Sequence, residues 1–145
     1  RPETWKDFNI DHYLLDGDTI ILGEKTIYVY GTPGHTPGCM SYIFPVKENG
    51  ENHMAALWGG TTPPWTKAEV RQYLKSLDYF IDAAIQKNVD VALSNHTAID
   101  NGLERIAYSR KRFSYMPNIY IIGPDGFQRY CQVFRTMSQE MLEKL

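Results

Sequence analysis

Tyr30-Gly31-Thr32-Pro33-Gly34-His35-Thr36-Pro37-Gly38 sets one histidine between two Pro-Gly pairs, directly after an apolar run. Proline fixes φ and glycine frees it, so the segment reads as a tight turn off the end of a strand. A histidine held there is placed as a metal ligand or a base, because strand-end loops carry functional groups on a rigid frame.

Short β-prone runs lie on both sides of this turn. Tyr13–Leu15, Thr19–Leu22 and Thr26–Tyr30 are separated by Asp16-Gly17-Asp18 and Gly23-Glu24-Lys25, and Met40–Phe44 and Met54–Trp58 are joined by the polar Lys47-Glu48-Asn49-Gly50-Glu51-Asn52. Each separator is good turn chemistry. From residue 66 the apolar period changes to that of a helix. Thr66 with Glu69 forms a capping box, and Val70, Tyr73, Leu74, Leu77, Phe80, Ile81 and Ala84 then recur down one face, which predicts a helix of about five to six turns. Val89–Leu93 reads as a buried strand ending at Ser94-Asn95-His96, and Asn101 with Glu104 opens a short helix. Asp125 with Gln128 is expected to cap the last helix, whose stripe is Phe127, Tyr130, Cys131, Phe134, Met137, Met141 and Leu145. The order predicts an α/β layered architecture over 1–145, a single domain with a mixed sheet flanked by helices.

Composition narrows the function. With 145 residues and a net charge of −2, the chain has no electrostatic footprint for nucleic acid or an anionic membrane surface. No apolar run approaches the roughly 20 residues of a membrane span. Cys39 and Cys131 lie far apart without Cys-x-x-Cys spacing, so both read as buried free thiols rather than zinc ligands. Arg1-Pro2-Glu3-Thr4-Trp5 shows neither an initiator Met nor a signal peptide's apolar stretch, which leads to the expectation that the natural chain starts upstream or was trimmed.

His96 shares the setting of His35: each stands where an apolar run stops and a loop begins. A single histidine is most often structural, but two in matching strand-end positions point to a common site. His12 and His53 lie in ordinary strand-edge and hairpin contexts and carry no such implication.

Gly31–Gly38, then Ala56-Leu57-Trp58-Gly59-Gly60-Thr61, then Leu93-Ser94-Asn95-His96 together resemble the second half of a metallo-β-lactamase-fold hydrolase, in order, strand context and the long helix between them. Ile121–Tyr130 resembles the approach to the final helix in the lactamase subclass with three histidines at its first zinc. The resemblance covers nearly the whole chain from about residue 11, and Thr-Pro-Gly-His-Thr-Pro-Gly is its most specific element. It implies half of a four-layer αββα sandwich, with metal held between loops of both halves. It also implies His35 as the third histidine of the first zinc and His96 as a ligand of the second. In that family two zinc ions activate a bridging water and polarise the carbonyl of a small-molecule substrate.

The chain departs from the family in two ways. No His-x-His-x-Asp-His motif precedes His35, and Asp11-His12 is a lone pair. A catalytic zinc takes about three protein ligands plus an open position, so these 145 residues alone are expected to bind zinc weakly and to be inactive. Thioesterase and lactonase members carry a metal-bridging Asp where this chain has Trp58-Gly59-Gly60-Thr61. The three-histidine lactamases lack that Asp and use loop hydroxyls for the substrate carboxylate, which makes Thr61 and Thr62 candidate substrate-binding residues; both equally suit the start of the Pro63-Pro64 turn. Asp100 is a candidate to orient His96 through its carboxylate, or simply a residue at a helix start. A lactamase-like parent would be periplasmic or secreted, and other members cytoplasmic. A half-sandwich leaves one apolar sheet face open, which leads to the expectation of a homo-oligomer through that face. A binding domain that kept the scaffold and lost the metal is the competing reading, and a lactonase or thioesterase of the same fold is a third.

Overall fold

Asp16-Gly17-Asp18 turns the chain into its first strand: Asp18 Oδ2 accepts the Leu15 N–H at 2.7 Å, and Gly17 takes a φ of 85°. The computed structural model describes residues 9–145, so the chain start read at Arg1–Trp5 lies outside the described residues. Strand β1 (Thr19–Leu22) follows the turn, while Tyr13–Leu15, expected as a strand, is irregular. Its Leu15 amide is committed to a side chain, which leaves it unavailable to a ladder.

Strand β2 (Lys25–Gly31) leads to the histidine turn, and β3 (Met40–Glu48) and β4 (Glu51–Leu57) form a longer hairpin than the sequence suggests. The loop is only Asn49-Gly50, with φ of 49° and 90°, the double positive φ of a type I′ turn. The flanking polar residues are therefore rungs of the ladder. Helix α1 (Lys67–Gln86) crosses over to β5 (Val91–Leu93), and α2 (Gly102–Lys111) and α3 (Gly123–Lys144) complete the order. The sheet runs β1-β2-β3-β4-β5, antiparallel through β4 and parallel between β4 and β5. It is the expected mixed α/β sheet.

The helix starts differ in how they are capped. At α1 the capping box forms: Thr66 Oγ1 accepts the Glu69 N–H at 3.3 Å and donates to Glu69 Oε2 at 2.7 Å. At α2 the helix follows Asn101, as expected, but Asn101 sits at φ 53° with no side-chain cap. At α3 the expected cap at Asp125 is replaced by an N-cap at Ile122, three residues earlier, so the helix starts at Gly123. Asp90 O accepts the N–H groups of Ile122 and Gly123 at 2.8 and 3.1 Å, and Pro124 in the first turn has no N–H to satisfy.

One sheet face is covered by helices. The row Tyr28, Ile43, Ala56, Ala92 looks onto α1 and α3, where Ile43, Ala56, Trp58 and Ala92 join Tyr73, Leu77, Phe80, Phe127, Cys131 and Phe134 in one buried cluster. Burial of each large side chain stabilises the fold by about 1.5–3 kcal/mol. The α3 stripe leaves this core toward its end, where Met137 is 48 % and Leu145 46 % exposed. The row Val29, Tyr42, Leu57, Leu93 lies on the other face, outside that cluster, with Tyr42, Leu57 and Leu93 partly exposed. No helix of the described residues is long and apolar enough to cross a membrane.

Trp58 and Tyr73 join the sheet to α1 at a single carbonyl. Trp58 Nε1–H donates to Gly60 O at 2.6 Å and to the Tyr73 hydroxyl at 3.0 Å, and Tyr73 also donates to Gly60 O. All three groups are buried, so each lost bond leaves an unsolvated partner. Tyr73→Phe is expected to lower stability by about 1–2 kcal/mol, read as a lower urea midpoint at unchanged slope. Cys39 and Cys131 are buried free thiols. Burial pushes the Cys131 thiol up to about 12 and raises Cys39 as well, against a lowering hydrogen bond from Thr32. The thiolate is the reactive form, so both should react slowly with an aromatic disulfide reagent at pH 8 and rapidly in urea. Fast labelling of the native protein would contradict this burial.

Candidate metal centre

Strand direction decides which loops meet. Strands β2 and β4 run the same way, since each is antiparallel to β3, and β5 is parallel to β4. The loops that follow β2, β4 and β5 therefore leave one edge of the sheet, and they carry His35, Gly59–Thr62 and His96 respectively.

The β2 loop is pinned at its base and open at its tip. Thr32 N–H donates to Cys39 O at 2.8 Å, and the Thr32 and Ser41 hydroxyls meet at 2.8 Å. From α1, Ser76 donates its hydroxyl to Pro33 O at 2.6 Å. Gly34 has a φ of 140°, and a Cβ there would lie 2.5 Å from Tyr73 Cα; only glycine lets the loop approach the helix so closely. Beyond it, His35, Thr36, Pro37 and Gly38 are exposed.

The β4 loop lies between the two histidine loops and is bonded to both flanks. Gly59 N–H donates to Ser41 Oγ at 3.0 Å, and a Cβ on Gly59 would fall 2.1 Å from Met40 O. On the other side, Asn95 Nδ2 donates to Gly59 O at 3.3 Å and Asn95 Oδ1 accepts the Thr61 hydroxyl at 3.1 Å. His96 follows directly, its N–H bonded to Ser94 Oγ at 3.1 Å and its carbonyl accepting from Ile99 N at 3.0 Å. Its side chain belongs to an exposed residue, like that of His35.

Two of the other candidate residues are turned elsewhere. Thr61, expected to face a substrate, is 2 % exposed with its hydroxyl given to Asn95; it holds two loops together. Asp100, expected to orient His96, pairs instead with Arg105 Nη1 at 2.8 Å and its side chain is 8 % exposed. Arginine's fork also reaches Ile119 O at 3.1 Å, so the carboxylate anchors α2 to the approach of α3. Thr62 is exposed and borders a cavity of about 450 Å³ together with Trp65, Met137 and Met141. His53 Nδ1 lies 2.5 Å from Asp90 Oδ2, and the other carboxylate oxygen accepts Met54 N–H at 2.9 Å, a structural pairing between β4 and the start of β5. Asn95 and Ser41 were not singled out by sequence. Asn95 was visible only as the neighbour of His96, and nothing local marks Ser41.

No group of three or more His, Cys, Asp or Glu side chains that could hold a metal ion occurs among the described residues. His35 and His96 are suitable ligand types in open loops, yet two imidazoles fall short of the three or four protein ligands of a zinc site. Within one copy the described residues do not complete a metal centre.

No family model matches the chain. A segment of 33 residues is 54 % identical to a protein of Burkholderia pseudomallei described as a "Probable metallo-hydrolase", covering 23 % of this chain and 11 % of that one. A segment of 39 residues is 49 % identical to hydroxyacylglutathione hydrolase of Crocosphaera subtropica, covering 27 % and 15 %. Among solved structures, the FEZ-1 metallo-β-lactamase of Legionella gormanii superposes with a TM-score of 0.78 at 20 % identity, over 97 % of this chain and 54 % of that one. BJP-1, a subclass B3 metallo-β-lactamase of Bradyrhizobium japonicum, gives a TM-score of 0.74 at 22 % identity, over 97 % and 53 %. The chain thus spans about half the length of these enzymes. The chain therefore has the fold of about half of a metallo-β-lactamase sandwich, a mixed α/β sheet flanked by helices, and two short segments of it are similar to a probable metallo-hydrolase and a hydroxyacylglutathione hydrolase.

Proposed function

We propose that this chain is the C-terminal half of a zinc-dependent metallo-β-lactamase-fold hydrolase that cleaves an amide bond of β-lactam type or an ester bond, with His35 and His96 as two of its metal ligands. The observation that carries the reading is the placement of two exposed histidines in loops of one sheet edge, tied through Ser41, Gly59 and Asn95. Metal ligands need loops whose positions are fixed before the ion arrives, and that chain of hydrogen bonds fixes them. The other ligands would come from residues outside this chain.

Two features bear on the substrate. The β4 loop, Trp58-Gly59-Gly60-Thr61, carries no carboxylate, which favours β-lactam-type substrates over a site bridged by Asp. The segment that matches hydroxyacylglutathione hydrolase favours a thioester instead, and a direct comparison of substrates separates them. The expectation is that these 145 residues as a monomer hydrolyse neither a chromogenic cephalosporin nor an acylglutathione. A longer natural product containing them should hydrolyse the cephalosporin in the presence of zinc. There His35→Ala or His96→Ala should cut kcat/KM by at least about 100-fold, and Asn95→Ala, which unties the β5 loop from Gly59 O and the Thr61 hydroxyl, should lower zinc retention on dialysis by less than either histidine change. Undiminished activity in both histidine variants would overturn the ligand assignment. Preference for the acylglutathione would move the substrate to the thioester class, and no hydrolysis of either would favour a binding domain.

A further inference from the structure

Helix α2 is joined to the rest of the chain by charge and not by a core. Among the described residues of α2 only Gly102 is buried, and a helix of ten residues without an apolar seat is marginal in water. Two arginines take the place of that seat. Arg112 pairs with Glu48 and donates to Met116 O at 2.6 Å, while Arg105 reaches back toward the loop that carries His96. We propose that Arg105 is a positioning residue for His96: through Asp100 it fixes the loop over residues 94–101, and so the direction in which the His96 side chain leaves the sheet edge. Its geometry stands on contacts within this chain; its functional meaning rests on the reading of His96 as a metal ligand.

The far end of Arg105 is anchored on the edge of the sheet. Arg105 Nη1 donates to Asp100 Oδ2 at 2.8 Å, with the two side chains 18 % and 8 % exposed. Nη2 donates to Ile119 O at 3.1 Å, and the guanidinium carbon lies 4.1 Å from the centre of the Tyr120 ring. Tyr120 O in turn accepts the Ala92 N–H at 3.3 Å, and Ile121 bridges Val91. Arg105 therefore ties Asp100 to β5 and not to another loop. Lysine would keep the charge but lose the fork, because one ammonium on a flexible stem cannot hold Asp100, Ile119 O and the Tyr120 face together.

At the near end, Asp100 is coupled to His96 through a closed turn. Ile99 N–H donates to His96 O at 3.0 Å and Gly102 N–H to Thr97 O at 2.8 Å. Ser94 Oγ accepts the His96 N–H at 3.1 Å and donates to His96 O at 3.0 Å. A Cβ on Gly102 would lie 2.9 Å from Asp100 Oδ1 and 3.1 Å from Thr97 Cα, so the carboxylate is wedged against the helix start with little freedom. A carboxylate this buried needs its counter-charge. Without Arg105 it turns toward water, and it can do so only by carrying the turn with it. His96 is thus held from both sides, by Asn95 on Gly59 and Thr61 before it and by Asp100 on Arg105 after it.

Amide hydrogen exchange of the 145-residue chain, read residue by residue by NMR, tests the geometry. In Arg105→Gln the Ile99 and Gly102 amides should exchange at least about tenfold faster, as in a local opening, while the Thr32 amide below the His35 loop keeps its rate. Arg105→Lys should fall between, and it carries the test if circular dichroism shows that Arg105→Gln does not fold. Equal acceleration of all three amides would make Arg105 a general stabiliser, and unchanged Ile99 and Gly102 amides would cut the link to the loop; either overturns the proposal. Zinc retention on dialysis, measured in a longer natural product that contains these residues, tests the functional meaning: Arg105→Gln should lower it, by less than His96→Ala does. Full retention in Arg105→Gln beside loss in His96→Ala would overturn the positioning role and leave the ligand standing. Full retention in His96→Ala would overturn the ligand reading alone, since the exchange rates judge the Arg105 contacts without metal.

Discussion

Tyr73 stands against both glycine loops at once, and the geometry of the whole edge depends on it. Its backbone fills the space where a Gly34 side chain would be, its ring lies 2.9 Å from where a Gly60 Cβ would be, and its hydroxyl is bonded to Gly60 O. One helical residue thereby fixes the β2 loop and the β4 loop to the same helix. The constraint is steric before it is electrostatic: a Cβ on Gly34 would need the helix to retreat and one on Gly60 would push the Tyr73 and Trp58 rings aside, and α1 cannot retreat because Leu77, Phe80 and Ala84 are seated in the core. Burial raises the Tyr73 hydroxyl far above its ordinary value, so it stays a neutral donor at any pH at which the protein is folded.

From that anchor the fixation passes sideways. Gly59 holds Ser41 on one side and Asn95 on the other, so the β5 loop inherits its position from the β4 loop and not from a contact of its own with α1. His96 is consequently one hydrogen-bonded step further from the rigid core than His35. The edge is organised as a base of buried hydrogen bonds, with its imidazoles on the exposed side. That arrangement suits ligands whose ion arrives from another surface, since an ion buried within this chain would need donors facing inward.

The legible parts of the fold were those set by local chemistry. The Pro-Gly pairs around His35, the capping box at Thr66 and the apolar period of α1 each report on neighbours within four residues, and each stands where it was read. The errors came from partners distant in sequence. The start of α3 is fixed by Asp90 O, more than 30 residues before it, so the local Asp125-Gln128 pattern pointed to the wrong turn. The partners of Thr61 and Asp100, Asn95 and Arg105, were likewise not legible, because no local sequence pattern links them. The length of the β3–β4 hairpin was hidden by Lys47, Glu48, Glu51 and Asn52, polar because that end of the ladder is near solvent; the Asn49-Gly50 pair was the better guide.

The two faces of the sheet are not equivalent, and this asymmetry bears directly on function. The helix side is finished: aromatic rings of Trp58, Tyr73, Phe80 and Phe127 contact one another in sequence, and the β5 edge is closed by Ala92 N–H to Tyr120 O and by the Val91–Ile121 bridge. On the other side Val29, Ala55 and Val91 are buried, while Ile27, Tyr42, Phe44, Leu57 and Leu93 stay partly exposed and Leu22 is exposed. On the proposed reading of His35 and His96 as metal ligands, whatever buries this face and supplies the remaining donors makes metal binding and burial linked equilibria, each favouring the other by the same coupling.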